Sequence, residues 1–148
     1  MLKILLVDDE SAVSDVLQQI LSRLGHHVEI ASGGTEGLRM FDSRTYDLVI
    51  TDILMPGIDG RSVALYIRRS NRPYTPIIGI SGTSWLLEGE IFDSVIPKPF
   101  RIQTLTNAIS NAMKEGLTPR ARPKNKERNS GRHVISTPPR FSPREALR

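Results

Sequence analysis

Residues 47–60 read Asp-Leu-Val-Ile-Thr-Asp-Ile-Leu-Met-Pro-Gly-Ile-Asp-Gly. The apolar run Leu48-Val49-Ile50 leads to one carboxylate, Asp52, and Pro56, Gly57 and Gly60 then turn the chain. A short segment without polar alternation suits the middle of a parallel sheet covered on both faces. Asp52 then stands at the carboxyl end of its strand, the edge where open α/β sheets bind ligands. A lone Asp at such a place is ordinarily just solvated. Its significance depends on what other strands bring to the same edge.

Working outward, the pattern repeats. Residues 2–7 predict a buried strand ending at Asp8-Asp9. Ser11 is the expected N-cap of a helix whose apolar face is Val13, Val16, Leu17, Ile20, Leu21 and Leu24, closed by Gly25. Strands are expected at 28–31, 47–52, 76–81 (weakened by Gly79) and 92–96. Helices are expected at 35–43, 61–70 and 101–113, the last burying Ile102, Leu105, Ile109 and Met113. Alternating strands and helices imply right-handed crossovers and a doubly wound, five-stranded parallel sheet. With strand order 2-1-3-4-5, the topological switch lies between strands 1 and 3, whose ends carry Asp8, Asp9 and Asp52.

Three converging carboxylates repel one another unless a cation sits among them. The chain has no cysteine, and His26, His27 and His133 lie away from these strand ends. The donors are therefore hard oxygens, which suit Mg²⁺. Ser81 ends the fourth strand, and Lys98 follows the fifth between Pro97 and Pro99. A metal site, a nucleophilic carboxylate, a hydroxyl and a lysine around one crevice point to phosphoryl transfer. Taken singly, Asp8-Asp9 could be helix-start acids and Lys98 a surface lysine. Glu10 reads as a solvated helix-start residue, and Trp85 as packing.

The acidic pair, the run 52–60, the hydroxyl after strand 4 and Lys98-Pro99-Phe100 together resemble the receiver domain of two-component response regulators, over residues 1 to about 114. The resemblance implies a flavodoxin-like receiver fold with Asp52 as phosphoacceptor. It implies Mg²⁺ held by Asp9, Asp52 and the Leu54 backbone carbonyl, supported by Asp8. It implies that Ser81 and Lys98 contact the phosphoryl oxygens, with Thr83 a rival for the hydroxyl role, and that the bond before Pro99 is cis. The phosphoryl donor would be a histidine kinase or histidine phosphotransfer protein, and a downstream protein would read the result. The chemistry is autocatalysed modification of the protein's own Asp, so the expectation is a signalling module and not a turnover enzyme.

Two features depart from the family pattern. Val95 stands where receivers usually carry Tyr or Phe, so an aromatic switch is not expected. Only residues 82–97 separate Ser81 from Lys98. The fourth helix is therefore expected to be shortened to a turn or two around Ser84–Glu88, between Gly82 and Gly89.

Residues 1–114 carry 11 Lys and Arg against 13 Asp and Glu, whereas residues 115–148 carry 9 against 3 and half of the ten prolines. This basic tail has too few apolar residues to fold alone and is expected to be disordered. A solvated extension is the first expectation for it, and attraction to nucleic acid, anionic lipid or an acidic partner the second. No membrane span or signal peptide is legible, and a cytoplasmic, stand-alone receiver is expected. The rivals are a phosphorylation-independent interaction domain, a nucleic-acid-associated regulator using the tail and, last, a metal-dependent phosphohydrolase. The last would need a second Asp where Leu54 stands.

Overall fold

The computed structural model describes residues 1–83 and 91–115. The short helix expected around Ser84–Glu88, with Trp85, and all but the first residue of the 115–148 tail lie outside the described residues.

Strand β3 (Leu48–Asp52) is buried along its whole length. It is flanked by β1 (Lys3–Val7) and β4 (Ile77–Ser81), with β2 (His27–Ala31) and β5 (Ser94–Pro97) outermost. All pairs are parallel in the order β2-β1-β3-β4-β5. The register makes the functional edge: Val7 faces Thr51 and Asp52 faces Ile80. The residues that follow, Asp8 and Ser81, thus come to the level of Asp52.

The period-two alternation of strands sorts the core into two layers. Ile4, Leu6, Leu48, Ile50, Ile78 and Ile80 point to α1 (Ser11–Arg23) and α4 (Ile102–Glu115), meeting Leu17, Leu21, Leu105 and Ile109. Leu5, Val7, Val49 and Ile77 point to α2 (Gly34–Ser43) and α3 (Gly60–Arg69), meeting Phe41, Val63, Ala64 and Ile67. Continuous apolar strands follow from this double covering.

The structure corrects three details. First, the N-cap of α1 is Glu10, not Ser11. The Glu10 carbonyl already accepts from the Val13 and Ser14 amides, and its own N–H donates to the Asp8 carboxylate at 2.9 Å. Second, α1 faces the core through Ser14, Leu17 and Leu21, leaving Val16 (55%) and Leu24 exposed; Ile102 of α4 is exposed likewise. The small Ser14 is accommodated because its hydroxyl bonds back to the Glu10 carbonyl at 2.9 Å. Gly25, as expected, follows the C-cap with φ of 90°.

Third, β5 begins two residues later than expected, at Ser94, and includes Pro97. Asp93 sets that start. Its N–H donates to the Ile77 carbonyl at 2.8 Å, and its carboxylate accepts from the Ile77 N–H at 2.7 Å and from Arg68 at 2.8 Å. Arg68 also donates to the carbonyls of Ile91, Pro73 and Thr75. This guanidinium therefore clamps α3, the turn before β4 and the approach to β5. Phe92 closes the core from there. Its ring lies where a side chain on Gly79 would go, with ring carbons 3.1 Å from an added Cβ. The glycine in β4 is a seat for Phe92 as well as a weak point.

Candidate functional site: an acidic cluster with a lysine

Each strand end delivers its group through backbone bonds. The Asp8 N–H continues the β1–β2 ladder by donating to the Ala31 carbonyl at 3.1 Å. The Asp8 side chain is then held by the Glu10 amide. Asp52 ends β3, and the next N–H, of Ile53, donates to the Ile80 carbonyl at 2.9 Å. The Lys98 N–H donates to the Ser81 carbonyl at 2.7 Å, tying together the ends of β4 and β5. The Lys98–Pro99 peptide is cis.

Carboxylate oxygens of Asp8, Asp9 and Asp52 lie within 4.8 Å of one another. Asp8 (2% exposed) and Asp52 (6%) are buried, while Asp9 is open to solvent. Lys98 Nζ stands 3.3 Å from Asp52 Oδ2. Burial pushes the Asp52 carboxyl above its ordinary range, partly countered by the Lys98 ammonium. Burial likewise pushes Asp8 up, with the Glu10 amide opposing and the Asp52 charge adding. The donor set is all oxygen, crowded and short of positive charge, and so fits a hard divalent cation.

Leu54 follows Asp52 in the loop leaving β3, with its side chain 55% exposed. Ser81 is buried, but its hydroxyl bonds to Thr83 and not to Asp52. Val95 packs with the α2–α3 core layer.

Two contributors are not apparent from residue type alone. Thr51 is fully buried, and its hydroxyl donates to the Asp52 carbonyl at 2.9 Å. Gly60, legible as a turn residue, is the first residue of α3 and presses against the same carbonyl. A Cβ there would lie 2.0 Å from that oxygen and 2.8 Å from Ile53 Cα. The DG pair at 59–60 is its only sequence trace. Asp59 caps α3 by accepting from the Ser62 N–H at 2.8 Å.

A five-stranded 2-1-3-4-5 sheet with an acidic cluster and a lysine at its switch point defines a receiver-type signalling module. The family model for the response regulator receiver domain matches residues 4–110, and the chain belongs to that family. Among curated relatives, the sensor histidine kinase AtsR of Burkholderia thailandensis is 35% identical over 113 residues, covering 72% of this chain and 19% of AtsR. The transcriptional regulatory protein AfsQ1 of Streptomyces coelicolor is 30% identical, covering 76% of this chain and 52% of AfsQ1. The chain thus spans about half the length of AfsQ1 or less of such relatives. Among solved structures, the response regulator TrrA of Thermotoga maritima in complex with Mg(2+)-BeF is 34% identical. Its TM-score is 0.71, covering 76% of this chain and 99% of TrrA. A receiver domain from Clostridium thermocellum is 33% identical with a TM-score of 0.72, covering 78% of this chain and 96% of that one.

Receiver domains are signalling modules of two-component systems that bind Mg²⁺ at an acidic pocket and interact with histidine kinases and downstream effectors. Among the described residues, no helix is long and apolar enough to cross a membrane.

Proposed function

We propose that this protein is a phosphorylatable switch or phosphorelay carrier that accepts a phosphoryl group on Asp52 from a phosphohistidine. The donor is a histidine kinase or histidine phosphotransfer protein. The observation that carries this reading is the buried Asp52 carboxylate, paired with Lys98 at 3.3 Å and joined by Asp8 and Asp9 within 4.8 Å. Asp8, Asp9 and Asp52, with the Leu54 backbone carbonyl, would hold Mg²⁺. When bound, that ion offsets the negative charge of the carboxylates and of an arriving phosphoryl group.

In the transfer, an Asp52 oxygen attacks phosphorus while the bond from phosphorus to the imidazole nitrogen breaks. The imidazole keeps that electron pair. Lys98 already holds the nucleophile in place, and its ammonium then pairs with a phosphoryl oxygen as a point charge. Ser81 donates to another. Hydrolysis reverses the modification, as water attacks phosphorus and Asp52 leaves as carboxylate. The active unit is residues 1–114, and the basic 115–148 segment is dispensable for this chemistry.

Incubation with acetyl phosphate and Mg²⁺ is expected to add one phosphoryl group by intact mass, sensitive to hydroxylamine, and Asp52→Ala is expected to add none. Equal labelling of that variant would overturn the assignment. Mg²⁺ is also expected to raise Tm by stabilising the native state, and Asp9→Asn to remove that rise. An undiminished rise in Asp9→Asn would remove Asp9 from the metal site.

A second reading is favoured by Val95 and the short 82–91 segment: a receiver fold that works through contacts without phosphate. Absence of labelling in the wild-type protein would select it.

A further inference from the structure

The Ser81 side chain is committed elsewhere. Its hydroxyl donates to the Thr83 carbonyl at 3.0 Å and accepts from the Thr83 N–H at 3.1 Å. The two hydroxyl oxygens are 3.2 Å apart. A hydroxyl has one proton and two lone pairs, so these three contacts use its full capacity. Among the described residues, no hydrogen bond joins Ser81 to Asp52 or Lys98 side chains. Ser81 is also 1% exposed, so water does not readily replace a lost partner.

We propose that Thr83 is a positioning residue that latches the Ser81 hydroxyl away from the phosphorylation site and so slows phosphoryl uptake. This rests on the reading of Asp52 as phosphoacceptor. Ser81 has one proton to give. To donate it to a phosphoryl oxygen it must release the Thr83 carbonyl and turn, breaking the other two contacts with it. The latch is thus a competition for one proton between a backbone carbonyl and the incoming phosphoryl group. A phosphoryl oxygen is anionic and a stronger acceptor than a carbonyl, so the modified state still draws Ser81 over. The Thr83 hydroxyl sets how firmly the unmodified state holds it back. Thr83 itself is only partly buried, so its carbonyl and hydroxyl can find water once Ser81 leaves. Release is therefore reversible at modest cost.

The test follows acetyl phosphate labelling by intact mass at saturating Mg²⁺ in the full chain. Thr83→Val keeps the shape and removes the hydroxyl. It is expected to label about 2- to 10-fold faster, the range of one neutral hydrogen bond. Thr83→Ser, which keeps the hydroxyl, is expected to return to the slow rate. In a Ser81→Ala background, Thr83→Val is expected to make no difference, an outcome that a merely structural role would not give. An unchanged rate in Thr83→Val, or an increase that persists without the Ser81 hydroxyl, overturns the latch. Thr83→Ala serves if the valine variant does not fold. If the wild-type protein takes up no phosphoryl group, the Asp52 reading fails. The latch is then read by amide exchange in the unmodified protein. The Thr83 N–H should exchange faster in Ser81→Ala, and unchanged protection overturns the contact itself.

Discussion

Asp52→Asn will not only prevent phosphoryl uptake but also raise the stability of the metal-free protein near neutral pH. The carboxyl of Asp52 is buried, and burial pushes its pKa up despite the Lys98 ammonium. A carboxyl whose folded pKa lies above its unfolded value binds more protons when folded. Its contribution is therefore favourable at low pH and is lost as pH rises through the folded pKa. At pH 7 in EDTA, ionised Asp52 burdens the fold. Asparagine keeps the shape without the charge. Lys98, partly exposed, can turn to water or toward Asp8. The expected gain is about 0.5–2 kcal/mol, the common yield of a single stabilising substitution, or several degrees in Tm. The gain should shrink as pH falls through the raised folded pKa of Asp52, and vanish below the unfolded value, where the carboxyl is protonated in both states. Glu29 runs the other way: the Tyr46 hydroxyl, with help from Arg44 and Lys3, draws it down to about 2. Its stabilisation is lost as pH falls, but equally in both proteins, so it cancels in the difference. Thermal melts at several pH values check this. A variant less stable than wild type at pH 7 would contradict the electrostatic account.

Gly60→Ala is expected to be the most damaging single methyl addition in the site. The added carbon would lie 2.0 Å from the Asp52 carbonyl oxygen and 2.9 Å from its carbon. Both are backbone, so no side-chain rotation relieves the clash. The Gly60 N–H also donates to the Ile53 carbonyl at 2.8 Å, which pins α3 to the loop. Either α3 lifts, uncovering Val63 and Ala64, or β3 shifts and carries Asp52 away from Lys98. Overpacking commonly costs about 1–3 kcal/mol and more where nothing can move, so a loss of about 3 kcal/mol or more is expected in urea unfolding. Gly82→Ala is the control: among the described residues nothing lies within 4 Å of its added Cβ, its φ is not positive, and it should stay within about 0.5 kcal/mol. Equal midpoints for the two variants would show that the close approach carries no energetic weight.

The contrast between Asp52 and Gly60 shows what the chain makes legible. Strand placement could be read because the apolar runs 4–7, 48–50 and 77–80 are buried on both faces, and burial of that kind needs only residue type and length. The carboxylates could be placed because each lies within two residues of the end of such a run. The N-cap at Glu10 could not, since it depends on which side chain takes the Glu10 amide, and Asp8 takes it. The rotation of α1 depends on Ser14, a polar residue that hides by bonding to its own helix. The start of β5 is not legible because Asp93 and Arg68 are 25 positions apart in the chain, and no local pattern records their pairing. Gly60 was visible as a turn, but the carbonyl it accommodates belongs to the strand before.

The Arg68–Asp93 clamp bears on how this protein could diverge. It re-establishes the chain's position immediately after residues 84–90, before β5 begins. Asp93, through the four residues of β5, and the Ser81 carbonyl both fix the place of Lys98. Rewritten residues between Thr83 and Ile91 would leave these two anchors of Lys98 in place. A lineage could thus rewrite that connection for new recognition while the Ser81–Lys98 and Arg68–Asp93 bonds hold the chain on either side.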